Sequence, residues 1–428
     1  MSDTTPPADT PTAALPRILA LSFLAGAAIM SAEIAAPRLT APHLGLTVLS
    51  WNAIFAVFLA SIAIGNVIGG RIADRAAATA KRTTLGTLYL VAGLLIAAAV
   101  PLDLWLRAGH ADWMAQHVRV YLGITIAFAP GAVAFGLIGP WLGRAALATS
   151  TATGRAIGLV GGASALGSVF GTFITGFLLV PHLGTRVIYL GAGAVLLLCI
   201  PMARSIRPAM RAEAARGDDD EQVPLPKGWA LLAGLAGATF LALEVVAARV
   251  AANRLGTSIY TWTSVLGDML TALASGNAIG GRLADRYEPG PLRRKLLLIA
   301  SASVAACLWT PALTSYVTAL DMSWMLRSLL AVAAGFLLPA VALGTLTPVV
   351  IRAALADPAT VGRTVGRLYA IGTIGAVIGA LVPALWFLPL VGVPAFITVL
   401  ALLLALAPMR AGGRPEIPWV VTLVVVLF

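Results

Sequence analysis

Two stretches of this chain are one segment written twice, and that duplication constrains the fold more than any other feature. EIAAPRLTAPHLG from Glu33, then Trp51, then GNVIGGRIADR over 65–75 return as EVVAARVAANRLG from Glu244, Trp262 and GNAIGGRLADR over 276–286. The offset is a constant 211 positions, without a gap. An unbroken register across two apolar segments and their connecting loop implies one ancestral unit copied whole. Past the third apolar segment the offset becomes 208. Gly136, Pro140 and Arg144 then return as Gly344, Pro348 and Arg352; GRAIG from Gly154, with Gly167, Gly171, Pro181 and Gly184, returns as GRTVG from Gly362, with Gly375, Gly379, Pro389 and Gly392. The halves match end to end, a pattern of two parallel repeats lying side by side.

Composition names the solvent. With 59% hydrophobic and 11% charged residues and a mean hydropathy of +0.92, the chain falls far below the charged share of about 25% in water-soluble domains. Runs of about 20 apolar residues, enough to cross about 30 Å of hydrocarbon, lie at 18–36, 46–70, 84–106, 120–139, 156–180 and 187–203 in the first half. In the second they lie at 229–248, 259–281, 296–313, 326–350, 365–390 and 395–407. The expected fold is an all-α polytopic membrane protein with about 12 transmembrane helices in two parallel six-helix bundles. The expected organisation is a disordered cytosolic tail at 1–16, a first bundle at 17–203, a cytosolic linker at 204–227 and a second bundle at 228–410. The apolar stretch at 411–428 is a tail or the start of a further, thirteenth segment. Residues 1–16 have no basic residue before Arg17, unlike the charged start of a signal peptide.

Charge sets an orientation. With the amino terminus placed in the cytosol, 22 of the 29 Lys and Arg residues fall on the inner side and seven on the outer, as the positive-inside rule asks of a multi-pass protein of a bacterial-type inner membrane. The formal charge of +11 is spread singly between apolar spans, which gives no footprint for nucleic acid. Cys199 and Cys307 each sit inside an apolar run in a different half, as small core residues. His43, His110, His117 and His182 all fall on the outer side without metal-ligand spacing. No metal and no cofactor are expected. Gly167 with Gly171, and Gly375 with Gly379, place two glycines on one helix face and let a neighbouring backbone approach.

The loops GGRIADR and GGRLADR sit where the second span of each half leaves the membrane on the basic side. Gly70 and Gly281 permit close helix approach, Asp74 and Asp285 can cap a neighbouring helix end, and Arg75 and Arg286 hold the loop at the inner headgroups. This pattern resembles the signature loop of the major facilitator superfamily. A finer likeness is to the fused major-facilitator/spermidine-synthase family, whose membrane part is marked by E-V-x-x-x-R-x-x-x-x-L-G, the G-N-x-I-G-G-R-x-A-D-R loop and G-R-x-x-G-x-L-Y-A. Glu244, Val245, Arg249, Leu255 and Gly256 match the first, with Glu33, Arg38, Leu44 and Gly45 in the other half. Gly362, Arg363, Gly366, Leu368, Tyr369 and Ala370 match the last. That resemblance implies a soluble aminopropyltransferase-like domain, which residues 1–428 do not supply. They carry no phosphate-binding glycine loop, metal box or nucleophile motif, so no catalysis is expected within them.

Charge inside the bilayer is the remaining chemical signal. Glu33 and Glu244 occupy matching places in the outer halves of the first and seventh spans, and Asp268 lies in the eighth, where the first half has Val57. An intramembrane carboxylate costs about 2.5–3.5 kcal/mol on insertion scales, so it faces a partner or a cavity. Two readings stand. The glutamates pair with Arg38 and Arg249, five residues on, with a break at Pro37 folding the arginine back; or they face each other across the central path that the resemblance implies, as a site for a proton or a small organic cation such as a polyamine. Trp51 and Trp262 are interfacial anchors or substrate stackers. Three functions follow: a transporter working by alternating access, a membrane platform for an aminopropyltransferase-like domain, or a non-transporting subunit of a larger membrane complex.

Overall fold

The computed structural model describes residues 11–45, 48–79, 84–110, 115–149, 153–206, 227–256, 259–355 and 361–407. Residues 1–10, most of the expected linker and the stretch from 408 onward lie outside the described residues. Every regular element among those described is helical.

Among the described residues, eleven helices are long and apolar enough to cross a membrane. In the first half they are Ala14–Pro42, Ile54–Arg75, Leu85–Ala108, Val120–Thr149, Arg155–His182 and Thr185–Ser205. In the second they are Gly228–Leu255, Pro289–Thr318, Trp324–Ala354, Val361–Val382 and Leu388–Leu406. The eighth position in chain order is filled by Ile259–Arg286. At 28 residues it is about 42 Å long, ample for a span, but Thr261, Thr263, Ser264, Asp268, Thr271, Ser275 and Asn277 make it too polar to read as one by hydropathy. It survives because it is sandwiched between the fifth and tenth helices, where protein rather than lipid meets its polar face. The first helix begins at Pro11, earlier than the expected tail allows, and it runs unbroken through Pro16, Pro37 and Pro42.

Two hydrophobic cores follow from the duplication. One is built from residues of the first half, from Ile18 to Ile206, and the other from residues of the second half, from Leu232 to Leu404, joined by Ile157. The main contacts between halves run between the second and eleventh helices and between the fifth and eighth. Glycine sets the distance there. A Cβ at Gly366 would strike the carbonyl of Asn66, and one at Gly158 would strike that of Asn277, so only bare backbone permits this approach. The expected pairs behave similarly inside each half: Gly167 and Gly171 lie on the backbone of Phe23 and Ala27, and Gly375 and Gly379 on that of Gly234 and Ala238.

The repeated Leu-Gly of the opening motif is a helix stop. Gly45 and Gly256 have φ of 75° and 77°, and each returns its amide to the carbonyl four residues back, Ala41 and Ala252, at 3.0 Å. A left-handed residue of this kind ends a helix cleanly, and glycine adopts it without a Cβ clash. The fifth and eleventh helices share another local feature, a π-helical stretch at Ile174–Leu179 and at Pro383–Phe387, a widened turn that bends a helix without ending it. Beyond it, Gly392 has φ of 78° and kinks the chain within Leu388–Leu406.

Candidate functional site

Glu33 and Glu244 sit at matching depths of the first and seventh helices, one from each bundle, because the repeat places them there. Both are half-buried. Glu33 acts electrostatically on Glu244. Neither forms an ion pair among the described residues, so the pairing with Arg38 and Arg249 is not made. The reason is geometric. Five residues along an unbroken helix turn a side chain about 140° from its starting direction, and the first helix has no break at Pro37 to undo that rotation. Arg38 and Arg249 are exposed on the far side of their helices.

Asp268 lies on the eighth helix. It is 7% exposed, and its Oδ2 has no hydrogen-bond partner among the described residues. One turn earlier on the same helix the Ser264 hydroxyl is likewise buried and unpartnered. Trp262 is 40% exposed near the start of the eighth helix, while the side chain of Trp51 lies outside the described residues. The same holds for His43, His110 and His117. His182 is exposed and bonded to the Leu178 carbonyl of its own helix at 2.8 Å. Among the described residues no cluster of His, Cys, Asp or Glu could hold a metal ion, and both cysteines are free and buried.

At the end carrying the duplicated loops, the two aspartates act as caps across the bundle boundary. Asp74, at the exit of the second helix, accepts the main-chain N–H of Gly362 and of Arg363, each at 2.8 Å, at the start of the eleventh helix. It also receives Nη1 of Arg144 at 2.5 Å and has Arg363 Nε at 3.8 Å. Asp285, its repeat partner, accepts the main-chain N–H of Arg155 at 2.6 Å, at the start of the fifth helix. Each carboxylate thus meets the positive end of a helix dipole belonging to the other bundle. Gly70 packs on the backbone of Gly362, and a Cβ on Gly158 would strike the backbone of Gly281. Arg75 and Arg286 are exposed, and Arg286 lies over the Tyr287 ring at 5.8 Å. The two interfaces are therefore drawn together at this end by the same residues that make the repeat visible.

The arrangement of two helical bundles pinned at one end by duplicated caps has a counterpart among known proteins. A sequence profile described as the Major Facilitator Superfamily fits residues 18–345. The chain belongs to the Major Facilitator Superfamily. Several solved members share its fold. The human organic anion transporter MFSD10 (TETRAN) superposes with a TM-score of 0.60 at 15% identity, covering 92% of this chain and 99% of that one. FucP in its outward conformation does so at 0.63 and 14%, covering 94% and 98%. The proton:xylose symporter XylE gives 0.58 and 13%, covering 93% and 95%. No curated protein sequence matches the chain. The superfamily membership makes it a multi-pass membrane protein with a transporter fold. The finer likeness to the fused spermidine-synthase family rests on its sequence motifs alone.

Sequence reasoning passed over a second polar group, inside the first bundle. Asp103 of the third helix is fully buried and pairs with Arg107 one turn on, Nε to Oδ2 at 2.8 Å; Arg107 also donates to the Leu39 carbonyl near the end of the first helix. The signal was available as an Asp and Arg four apart in an otherwise apolar span.

Proposed function

We propose that this chain is a proton-coupled secondary transporter working by alternating access of its two bundles, with Glu33 and Glu244 as the carboxyls that exchange a proton or take a small organic cation. The observation that supports this reading is that two half-buried glutamates, one from each bundle, interact electrostatically while neither forms an ion pair among the described residues. A pair that repels when ionised and sits at a moving boundary changes its energy when a proton or a cation binds, which is the differential interaction a ligand needs to shift two conformations. The caps at Asp74 and Asp285 are suited to hold one of those conformations, because they join bundles only while the loop-bearing end is shut. Two of the structural relatives are described by their own names as proton symporters, a fucose:proton symporter of E. coli and the proton:xylose symporter XylE.

The substrate class that fits two facing carboxyls is a small organic cation, a polyamine such as spermidine among them. Uptake into proteoliposomes under an imposed pH gradient tests it. Spermidine flux that responds to the gradient and disappears in Glu33→Gln and Glu244→Gln supports the reading, and flux unchanged in both variants removes these residues from the mechanism. The G-R-x-x-G-x-L-Y-A match around Tyr369 favours one other reading, a membrane platform for an aminopropyltransferase-like domain. Copurification of that activity, with no flux of any organic cation, would favour it instead.

A further inference from the structure

The eighth helix carries three buried oxygen-bearing side chains on one face. Thr261, Ser264 and Asp268 follow one another at spacings of three and four residues, which stacks them along the same side of Ile259–Arg286. They are 2%, 0% and 7% exposed. The Ser264 hydroxyl and the Asp268 Oδ2 have no hydrogen-bond partner among the described residues. A serine one turn before an aspartate is placed to donate to it, as polar pairs at this spacing do, and here it does not. Keeping a carboxylate oxygen and a hydroxyl buried and unbonded is costly, so this face is suited to a ligand that both oxygens can share.

Packing does not require these groups. By the 211-position register the first half has Ala53 and Val57 where the second has Ser264 and Asp268, so the same helix is built once without the polar pair. Gly267 lies next to Asp268 in the chain, and a Cβ there would strike the ring of Phe173 from the fifth helix, which belongs to the other bundle. The pair therefore adjoins one of the two main contacts between the halves.

We propose that Ser264 and Asp268, with the Thr261 hydroxyl beyond them, bind one singly charged metal cation of the size of sodium. The donor set decides the class. It offers oxygen alone, which suits hard cations, and neither the thiolate nor the imidazole that softer transition metals prefer. One carboxylate balances one positive charge, whereas a divalent ion would leave a net charge buried without compensation; calcium sites gather about six to eight oxygens, with carboxylates prominent among them. The low exposure of all three residues leaves no approach for a bulky organic cation, which separates this site from the glutamate pair. A hydroxyl coordinates through a lone pair while its proton is donated elsewhere, so Thr261 can serve even with a hydrogen bond of its own, and neighbouring main-chain carbonyls each have a second lone pair to complete the shell. In a transporter that rocks at this contact between halves, bound sodium favours the arrangement in which the contact is closed.

Sodium itself is the probe. The full chain, purified in detergent, is assayed for retention of radioactive sodium, and its thermal unfolding midpoint is compared in sodium chloride and in choline chloride at equal ionic strength. One sodium per chain and a higher midpoint in sodium are expected. Asp268→Asn should abolish both the retention and the difference between the salts, whatever the variant's own midpoint. Ser264→Ala should weaken binding by about tenfold or more, the low end of what a lost supporting group costs at a metal site. Equal midpoints in the two salts with no sodium retained overturn the site, as does retention unchanged in both variants. A midpoint that responds to pH but not to sodium overturns it too, leaving Asp268 with a proton alone. Sodium lost in Glu33→Gln and kept in Asp268→Asn assigns the ion to the glutamates and likewise overturns it. None of these readouts measures flux, so the site can fail while the transporter reading stands, and flux can fail while sodium still binds.

Discussion

The carboxylate of Asp74 accepts the main-chain N–H of Gly362 at 2.8 Å, across 288 positions of sequence and from one bundle to the other. The contact exists because a helix start leaves its first amides without internal partners and because glycine at 362 and at 70 lets the two helices touch. A hydrogen bond to a charged group is worth about 1.5–3 kcal/mol net, and Asp74 makes two to amides besides its arginine contacts.

Replacing Asp74 by Ala should therefore loosen the loop-bearing end. Spin labels at the exposed positions Arg71 and Arg352, one in each bundle, are expected to move apart and to sample a broader distance distribution. Asp285→Ala should do the same through the Arg155 amide, and the double variant should exceed either alone. An unchanged distribution in the double variant would show that the caps do not hold this end closed.

A methyl group at the bundle boundary should be costly. Gly366→Ala drives a Cβ into the Asn66 carbonyl and Gly158→Ala into that of Asn277; overpacking of this kind costs about 1–3 kcal/mol. Thermal unfolding in detergent should show a lower midpoint for both. Gly191→Ala, where a Cβ meets nothing within 4 Å, should leave the midpoint unchanged or slightly higher.

The helix stops predict a second, smaller penalty. Gly45 and Gly256 hold φ near +75°, a region that costs an L-residue with a Cβ about 1–2 kcal/mol. Gly256→Ala has no neighbour to strike within 4 Å, so any loss of stability there reports the backbone alone. A loss well above 2 kcal/mol would point to a packing role instead.

Glu244→Gln removes one member of a repelling pair that has no counterion. At a pH where carboxyls are ionised the variant should melt at a higher temperature than the parent, since a buried uncompensated charge destabilises its surroundings. At a pH low enough to protonate both groups the difference should shrink. A gap that stays constant with pH would mean that the carboxyls are not ionised together in the folded protein.

Glu33, Glu244 and the two loop motifs were visible in the chain as repeated letters, and so was the fold. A register kept without gaps over apolar runs of membrane length leaves two side-by-side bundles as the reading, because every backbone polar group in lipid must be satisfied within its own helix. The sequence alone also placed Asp74 and Asp285 at helix exits. What it could not decide was direction. Whether Glu33 turns to Arg38 or to Glu244 depends on whether the helix breaks at Pro37, and neighbouring helices decide that by supporting or failing to support the bend. The partners of Asp74 are main-chain amides, which no side-chain pattern announces. Arg107 and Leu39 lie on helices whose sequence separation carries no sign of contact; only the packing of the first and third helices brings that guanidinium to the carbonyl. Periodicity in a chain reports which face of each helix is apolar, whereas the identity of the facing residue is set by rotation and approach, which belong to the assembled bundle.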